Sequence, residues 1–305
     1  MNILITGANG FIGKALTKAM LKNGHTIFAL VTKADDMKDI SMEKLHVIEL
    51  FFDDYNKIST LVNCKIDIAY HFAWSGLCGD SAKDVKIQLA NVLATSILIE
   101  QLHQIGVKKI VLASTMNTLE ARDMLADPLH HNPRGISIHV ASKINAEIVA
   151  RTLCQQYSIM YNEGLIAMAY GEQNYSKMIP NIAISSLIDK KPLKLISGNN
   201  LYDMVYITDI VTAFIAIGLK GINKQTYYIG HEDLKTFKDI FVRIGFLVSP
   251  NTKLVFGAFP EDNLLNFNLV DRSLLTKDTG WIPTANFDDS ILSTAAWIKK
   301  EELHF

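Results

Sequence analysis

The stretch ILITGANGFIG, residues 3–13, decides the fold of this chain. Residues 3–6 form a short apolar run that is typical of a buried strand, and a helical period follows over residues 11–23. Three glycines fill the turn between them, where a backbone without side chains can approach a pyrophosphate closely. The N-terminus of the following helix offers free N–H groups and the positive end of a dipole. The pattern therefore predicts a dinucleotide site. The residues assigned to this turn are Gly7, Asn9, Gly10, Phe11, Ile12 and Gly13.

The first half of the chain alternates apolar runs with amphipathic stretches. Strands are predicted at residues 3–6, 26–32, 45–50, 66–72, 109–114 and 165–170, and helices at residues 11–23, 84–104 and 139–157. Continuous apolar strands between helices indicate a parallel sheet covered on both faces, and right-handed crossovers make it doubly wound. We predict an α/β Rossmann sheet in residues 1–170 plus about 204–230. A smaller C-terminal substrate lobe would take residues of about 171–203 plus 231–305.

Composition and charge restrict the class of protein. The 305 residues are 49% hydrophobic and 20% charged, as in a globular chain, and the net charge of -1 argues against nucleic-acid or anionic-membrane partners. No apolar run approaches the roughly 20 residues that span a bilayer. Cys64, Cys78 and Cys154 lie far apart and are interpreted as reduced thiols, and His130–His131 as loop histidines. We expect a cytoplasmic protein without a metal site.

The end of the second strand bears on the choice of dinucleotide. An acidic residue about 20 positions after the glycines would bind the ribose 2′-hydroxyl of NAD. The sequence has Thr32 and Lys33 there, a hydroxyl and a cation that suit a 2′-phosphate. This pattern favours NADP(H) over NAD(H). The alternative is that Lys33 is a solvated loop lysine.

Several motifs, in the right order over nearly the whole chain, resemble the extended short-chain dehydrogenase/reductases. These are the nucleotide-sugar epimerases, dehydratases and 4-ketoreductases. The matching segments are G-x-x-G-x-x-G at residues 7–13, His71-Phe72-Ala73, Asn91-Val92-Leu93-Ala94-Thr95, Tyr170-Gly171, residues 198–209 and Gly280-Trp281-Ile282-Pro283. Besides Thr32 and Lys33, the further cofactor contacts assigned with this resemblance are Asp53, Phe72, Ala73, Trp74, Asn91, Lys143 and Tyr170.

The family's chemistry uses a Ser/Thr, a Tyr and a Lys. By resemblance, Thr115 would hold the substrate oxygen and Lys143 the nicotinamide ribose. His139 stands four residues before Lys143, where the family's Y-x-x-x-K motif has tyrosine. Positions i and i+4 share one helix face, so both side chains can point into one site. Thr115, His139 and Lys143 are therefore the predicted catalytic residues.

His139 changes the expected proton chemistry. A neighbouring cation disfavours imidazolium, and a neutral imidazole is a fair base and a poor acid. His139 should therefore serve alcohol oxidation more readily than ketone reduction near pH 7. The alternative is that His139 is structural and that another group, or water, handles the proton.

Other differences from the family's motifs restrict which reaction the resemblance implies. Met116 and Asn117 replace the acidic pair of 4,6-dehydratases, and Tyr202 and Asp262 replace two arginines that contact the substrate diphosphate in the family. The resemblance most favours an NADP(H)-dependent C4 reductase of a nucleotide-linked 4-keto-6-deoxysugar. The alternatives are a 4-epimerase with tightly bound NAD(H) and a catalytically degenerate dinucleotide-binding protein. The family's dimers imply a possible homodimer through helices 84–104 and 139–157.

Overall fold

The computed structural model describes residues 1–40, 43–129, 133–260 and 265–305. The strands in this part of the chain are β1 (Asn2–Thr6), β2 (Thr26–Val31), β3 (Leu45–Glu49), β4 (Ile68–His71), β5 (Lys109–Thr115), β6 (Met160–Ile166), β7 (Met168–Tyr170), β8 (Leu193–Lys194), β9 (Leu201–Tyr202), β10 (Met204–Tyr206), β11 (Thr226–Ile229), β12 (Lys235–Thr236) and β13 (Leu254–Val255). The α-helices are α1 (Phe11–Lys22), α2 (Ile58–Leu61), α3 (Val85–Gln104), α4 (Thr118–Ala126), α5 (Ser137–Gln156), α6 (Ile179–Ile188), α7 (Ile207–Lys220), α8 (Phe237–Val248), α9 (Leu274–Thr279) and α10 (Phe287–Lys300).

Seven parallel strands form the central sheet in the order β11-β6-β5-β4-β1-β2-β3. The chain proceeds outward from β1 to β3 and then resumes with β4 on the other side of β1. The direction of winding reverses between β1 and β4, and a crevice opens at their carboxyl ends, where ligands bind in doubly wound folds. The predicted α/β Rossmann class is confirmed.

Helices cover both faces of the sheet. Helices α1 and α7 pack together on one face, and α3 and α5 on the other. Strand β1 contributes side chains to the core on each face of the sheet, because successive side chains of a strand point to opposite faces. Ile3 and Ile5 belong to the core that includes Phe214, and Leu4 belongs to the core that includes Leu98.

The sixth strand differs from its predicted bounds of 165–170. In the main sheet it is β6, and residues of β7 pair instead with β10 in a separate two-stranded sheet. The prediction started too late because two polar residues, Asn162 and Glu163, interrupt the apolar run. Both are buried, and each has polar partners: Asn162 Nδ2 donates to the Ile222 carbonyl at 2.6 Å, and Thr226 Oγ1 donates to Glu163 at 3.1 Å. Burying polar groups with such partners is tolerated in a strand.

The later part of the chain contributes to two regions. Strand β11 completes the central sheet, while α6, α8 and α10 pack on one another away from it. The division into a dinucleotide-binding domain and a substrate lobe stays a prediction. No helix among the described residues is both long enough and apolar enough to cross a membrane.

Candidate active site

Two glycines of the turn, Gly7 and Gly13, leave no room for a side chain. Gly7 has a φ of +65°, and a Cβ there would lie 2.7 Å from the Ala73 amide nitrogen. A Cβ on Gly13 would lie 2.2 Å from the Gly7 carbonyl oxygen, so α1 begins in direct contact with the end of β1. The Gly10 amide donates to that same oxygen at 3.0 Å. A glycine-rich turn of this kind at the start of a helix fits a dinucleotide pyrophosphate.

A carboxylate that the sequence pattern did not predict lies just after β2. Asn9 Nδ2 donates to Thr32 Oγ1 at 3.2 Å and to Asp36 Oδ2 at 2.9 Å. Asp36 therefore lies beside Thr32, and Lys33 is exposed at the same edge. The acid comes four residues later than the expected position because a 3-10 turn, Ala34–Met37, folds back toward the glycine turn. A carboxylate there can accept hydrogen bonds from ribose hydroxyls and would repel a 2′-phosphate.

A chain of hydrogen bonds fixes the end of β4. Thr6 Oγ1 lies 2.7 Å from His71 Nδ1, and His71 Nε2 lies 3.0 Å from Thr95 Oγ1. The Ala73 amide donates to Thr6 Oγ1 at 3.2 Å. Burial, together with the charge of Lys143, lowers the pKa of His71 to about 3, so the ring stays neutral. This network holds Ala73 against Gly7.

Asn91 and Phe72 direct their side chains to neighbouring protein groups. Asn91 accepts from the Ser75 amide at 2.7 Å and donates to the Ser75 carbonyl at 3.0 Å. It therefore positions the loop that follows β4. The ring of Phe72 packs edge-on against Phe214 with centroids 4.8 Å apart. Phe72 would then meet the cofactor through its main chain, and Asn91 through the loop that it holds.

The structure brings Trp74, Gln88, His139 and Lys143 together in what we call the α5 cluster. Trp74 and His139 meet edge-on with ring centroids 5.7 Å apart. The Lys143 ammonium lies 3.7 Å above the Trp74 ring, a cation–π contact. Gln88 Oε1 accepts from Trp74 Nε1 at 2.9 Å and lies 3.0 Å from His139 Nδ1. The predicted pair on α5 thus faces one site, with Trp74 packed against both.

Lys143 links α5 to the strand that carries Thr115. Its Nζ donates to the Ala113 carbonyl in β5 at 3.2 Å. Burial lowers the pKa of Lys143 to about 7, and the negative charge of Glu163 partly opposes that shift. Thr115 ends β5, and its Oγ1 accepts from the Asn117 amide at 3.3 Å. The hydroxyl proton of Thr115 therefore remains available to a substrate oxygen.

His139 is a neutral base in this environment. The side chain is buried, and this burial, with a smaller contribution from the charge of Lys143, lowers its pKa to about 4. At pH 7 the imidazole carries no charge, so it accepts a proton readily and donates one poorly.

Tyr170 and Asp53 are not members of the α5 cluster. The hydroxyl of Tyr170 is buried 2.6 Å from Ser290 Oγ, so this residue could reach a cofactor through its main chain only. Asp53 is exposed in the 3-10 segment Phe52–Lys57 after β3. Both assignments stay predictions.

On the candidate substrate side, one of the two positions where the family has arginine lies within the described residues. Tyr202, which replaces that arginine, packs edge-on against Phe237 with centroids 5.2 Å apart. Asp262 and the pair His130–His131 lie outside the described residues. Within the described ranges, no three His, Cys, Asp or Glu side chains are arranged to hold a metal ion.

Comparison with known proteins identifies the family of the chain. The model of the NAD dependent epimerase/dehydratase family matches residues 3–230. The chain is similar to the UDP-glucuronate 4-epimerase of Thermodesulfobacterium geofontis, with 23% identity over 97% of this chain and 96% of the relative. It is also similar to the dTDP-4-dehydro-6-deoxyglucose reductase of Escherichia coli, with 25% identity over 95% of each.

Solved structures share the fold over their whole length. The UDP-glucose 4-epimerase of Thermotoga maritima superposes with a TM-score of 0.82 at 19% identity, over 99% of this chain and 100% of that one. The UDP-glucuronic acid 4-epimerase of Bacillus cereus, in complex with NAD, gives 0.81 at 20% identity with the same coverage. With the family model covering most of the sequence, the chain belongs to the NAD dependent epimerase/dehydratase family and is an enzyme of the short-chain dehydrogenase/reductase type.

Proposed function

We propose that this enzyme moves a hydride at C4 of a nucleotide-linked sugar, and that the reaction starts from the alcohol. The observation that carries the proposal is a neutral His139 held beside Lys143 on α5. The dinucleotide, when bound, supplies the hydride acceptor and donor. Thr115 holds the sugar oxygen by donating its hydroxyl proton, and Lys143 holds the ribose. His139 takes the proton from the C4 hydroxyl and later returns it.

The proton balance favours a 4-epimerase. In epimerisation, the proton that His139 removes in the first half returns in the second half, so a base that is neutral at rest completes the cycle. A ketone reduction, in contrast, must begin with His139 protonated, which its pKa of about 4 makes rare at pH 7. The relatives include both UDP-sugar 4-epimerases and a 4-keto-6-deoxysugar reductase, so the choice rests on the proton balance.

The second candidate is the C4 reductase of a 4-keto-6-deoxysugar. It is favoured by the similarity to the reductase of Escherichia coli and by Met116, which is buried where dehydratases carry an acid. If this is the reaction, protonation of His139 should limit its rate. The two candidates therefore differ in how the rate depends on pH.

Where protonation of His139 sets the rate, we expect the two directions to depend differently on pH. His139 stays unprotonated from pH 8 to pH 6, so alcohol oxidation should be nearly flat in this range. The rate of ketone reduction should rise about tenfold for each unit by which the pH is lowered. The reason is that the protonated fraction of a group with a pKa near 4 rises tenfold per unit in this range. Lys143, whose pKa is about 7, also titrates in this range, so the reduction rate is divided by the oxidation rate of the same enzyme at each pH, which removes the contribution that the two directions share. A flat reduction rate would contradict the assignment of His139 as the acid.

A substrate panel tests the function itself. The purified enzyme is incubated with NAD and either UDP-glucose or UDP-glucuronic acid, and products are resolved by NMR. In parallel, NADH and NADPH oxidation is followed with nucleotide-linked 4-keto-6-deoxysugars. A 4-epimer formed without net NAD reduction supports the epimerase. Oxidation of the reduced dinucleotide supports the reductase. Dinucleotide binding without any turnover would contradict both and indicate the degenerate binder.

We propose NAD(H) as the dinucleotide, in place of the NADP(H) preference inferred from Thr32 and Lys33. Asp36 beside Thr32 is the support, and the structural neighbour from Bacillus cereus is a complex with NAD. Measured by calorimetry, the Kd for NAD(H) should be about tenfold lower than the Kd for NADP(H). Asp36→Asn should bring these two Kd values closer together. Asp35→Asn is the matched control, since Asp35 pairs with Lys38. Tighter binding of NADPH by the unmodified chain would exclude this choice.

We also propose that the enzyme is a homodimer in the cytoplasm. Leu89 and Leu93 on α3 and Ile148 on α5 are 50%, 62% and 59% exposed, and the two helices lie side by side. Such a face suits a four-helix interface. Leu93→Glu should convert a dimer to a monomer in sedimentation velocity. Leu125→Glu, at a 71% exposed site on α4, should not. The three free cysteines suit a reducing compartment.

A further inference from the structure

Gln88 has a fixed amide orientation in the α5 cluster. The residue is fully buried on α3. Its Nε2 lies within hydrogen-bond distance of three main-chain carbonyls, those of Ser75 at 3.3 Å, Gly76 at 2.8 Å and Ser81 at 3.0 Å, which share its two protons. An amide nitrogen is a donor only, so a rotation that exchanged the nitrogen and the oxygen would leave three carbonyls facing an acceptor. Gln88 must therefore present its oxygen to the other side.

Two rings meet that oxygen. Trp74 Nε1, which can only donate, lies 2.9 Å from Gln88 Oε1 and confirms that this atom is the acceptor. His139 Nδ1 lies 3.0 Å from the same oxygen. Since the oxygen cannot donate, Nδ1 must carry a proton for this contact to be a hydrogen bond. In a neutral imidazole the other nitrogen, Nε2, then has the lone pair.

We infer that Gln88 is a positioning residue that holds His139 as the Nδ1–H tautomer, so that Nε2 is the proton acceptor of the active site. This inference rests on the proposed function, in which His139 takes the proton of the sugar hydroxyl. Gln88 itself touches neither substrate nor cofactor in this scheme. Without it, part of the His139 population would carry its proton on Nε2 and could not act as the base there.

The same amide couples the base to a loop. The three carbonyls bound by Gln88 belong to residues 75–81, which follow β4 and lead toward α3. A shift of this loop would move the Gln88 amide and with it the partner of His139 Nδ1. The charge of Lys143, whose ammonium lies against the shared Trp74 ring, further disfavours a second proton on His139.

The tautomer can be read directly by NMR. Protein labelled with ¹⁵N-histidine gives long-range ¹H–¹⁵N correlations that distinguish the Nδ1–H from the Nε2–H form, and His139→Asn assigns the signal. We expect His139 to be the Nδ1–H tautomer from pH 8 to pH 5, and Gln88→Leu to populate the Nε2–H form. Gln101→Leu is the matched control on the same helix, because Gln101 caps Ser59 and is remote from His139. An Nε2–H tautomer in the unmodified protein would overturn the inference.

Kinetics separates this inference from the proposed function. Gln88→Leu should lower kcat at least about tenfold while the Kd for NAD stays unchanged, and Gln101→Leu should alter neither. Unchanged kcat in Gln88→Leu with a changed tautomer would overturn the positioning role. The NMR measurement requires no substrate, so an Nδ1–H tautomer in an enzyme that turns over none of the sugars would contradict the proposed function and leave the assignment of the tautomer intact.

Discussion

Replacing His139 with phenylalanine should lower kcat about 10²- to 10⁴-fold, the usual contribution of a positioned acid–base group. Phenylalanine preserves an aromatic ring beside Trp74 but has no nitrogen to take the proton. The Kd for NAD, measured by calorimetry, should stay unchanged because the glycine turn is untouched. His103→Phe is the matched control, since His103 lies in the last turn of α3, where it stacks on Tyr157. That variant should keep full activity.

His139→Tyr tests the same assignment in the opposite direction. Tyrosine restores the family's Y-x-x-x-K pattern with Lys143, whose charge would favour a tyrosinate. We expect this variant to recover activity relative to His139→Phe and to acquire the pH profile of a different titrating group. Equal activity in the phenylalanine variant and the unmodified enzyme would show that His139 is structural and that another group transfers the proton.

Gly13→Ala should remove dinucleotide binding and destabilise the fold. The new Cβ would lie 2.2 Å from the Gly7 carbonyl oxygen. The oxygen belongs to the main chain and the position of the Cβ is set by the main chain, so neither atom can rotate away. Overpacking of this kind costs about 1–3 kcal/mol, and here it also displaces the turn that receives the pyrophosphate. Thermal unfolding should show a lower Tm, and calorimetry should show no measurable NAD binding.

Gly10→Ala separates the two effects. Its Cβ would lie 3.2 Å from the Gly7 oxygen, a tight contact that small shifts relieve. This variant should keep a Tm close to that of the unmodified chain and still bind NAD more weakly, because the methyl group lies in the predicted pyrophosphate site. A Gly13→Ala protein with normal Tm and normal NAD affinity would show that the close approach of α1 to β1 is not required.

The fold was predictable because its evidence is local. The apolar run of β1, the glycines and the period of α1 occur within 20 residues, and the same alternation recurs through β5. The predicted pair on α5 also follows from local spacing, since residues four apart share a helix face. Where polar residues interrupt a buried strand, as at Asn162 and Glu163, the pattern failed and the start of β6 was missed.

The partners of the site residues were not predictable in the same way. Gln88 lies 51 residues before His139, and only the packing of α3 against α5 brings them together. Asp36 was missed because a 3-10 turn carries it back to Asn9, whereas the expected position assumed an acid at the end of the strand. Both contacts depend on tertiary geometry that a spacing rule does not contain.

The bond from Lys143 to the Ala113 carbonyl has a consequence for the entropy of catalysis. It fastens the helix that carries His139 to the strand that carries Thr115 within the folded chain. The loss of freedom needed to align a base with a hydroxyl donor therefore occurs during folding. Binding a sugar then has to order mainly the sugar, which is how a pre-aligned pair lowers an activation barrier.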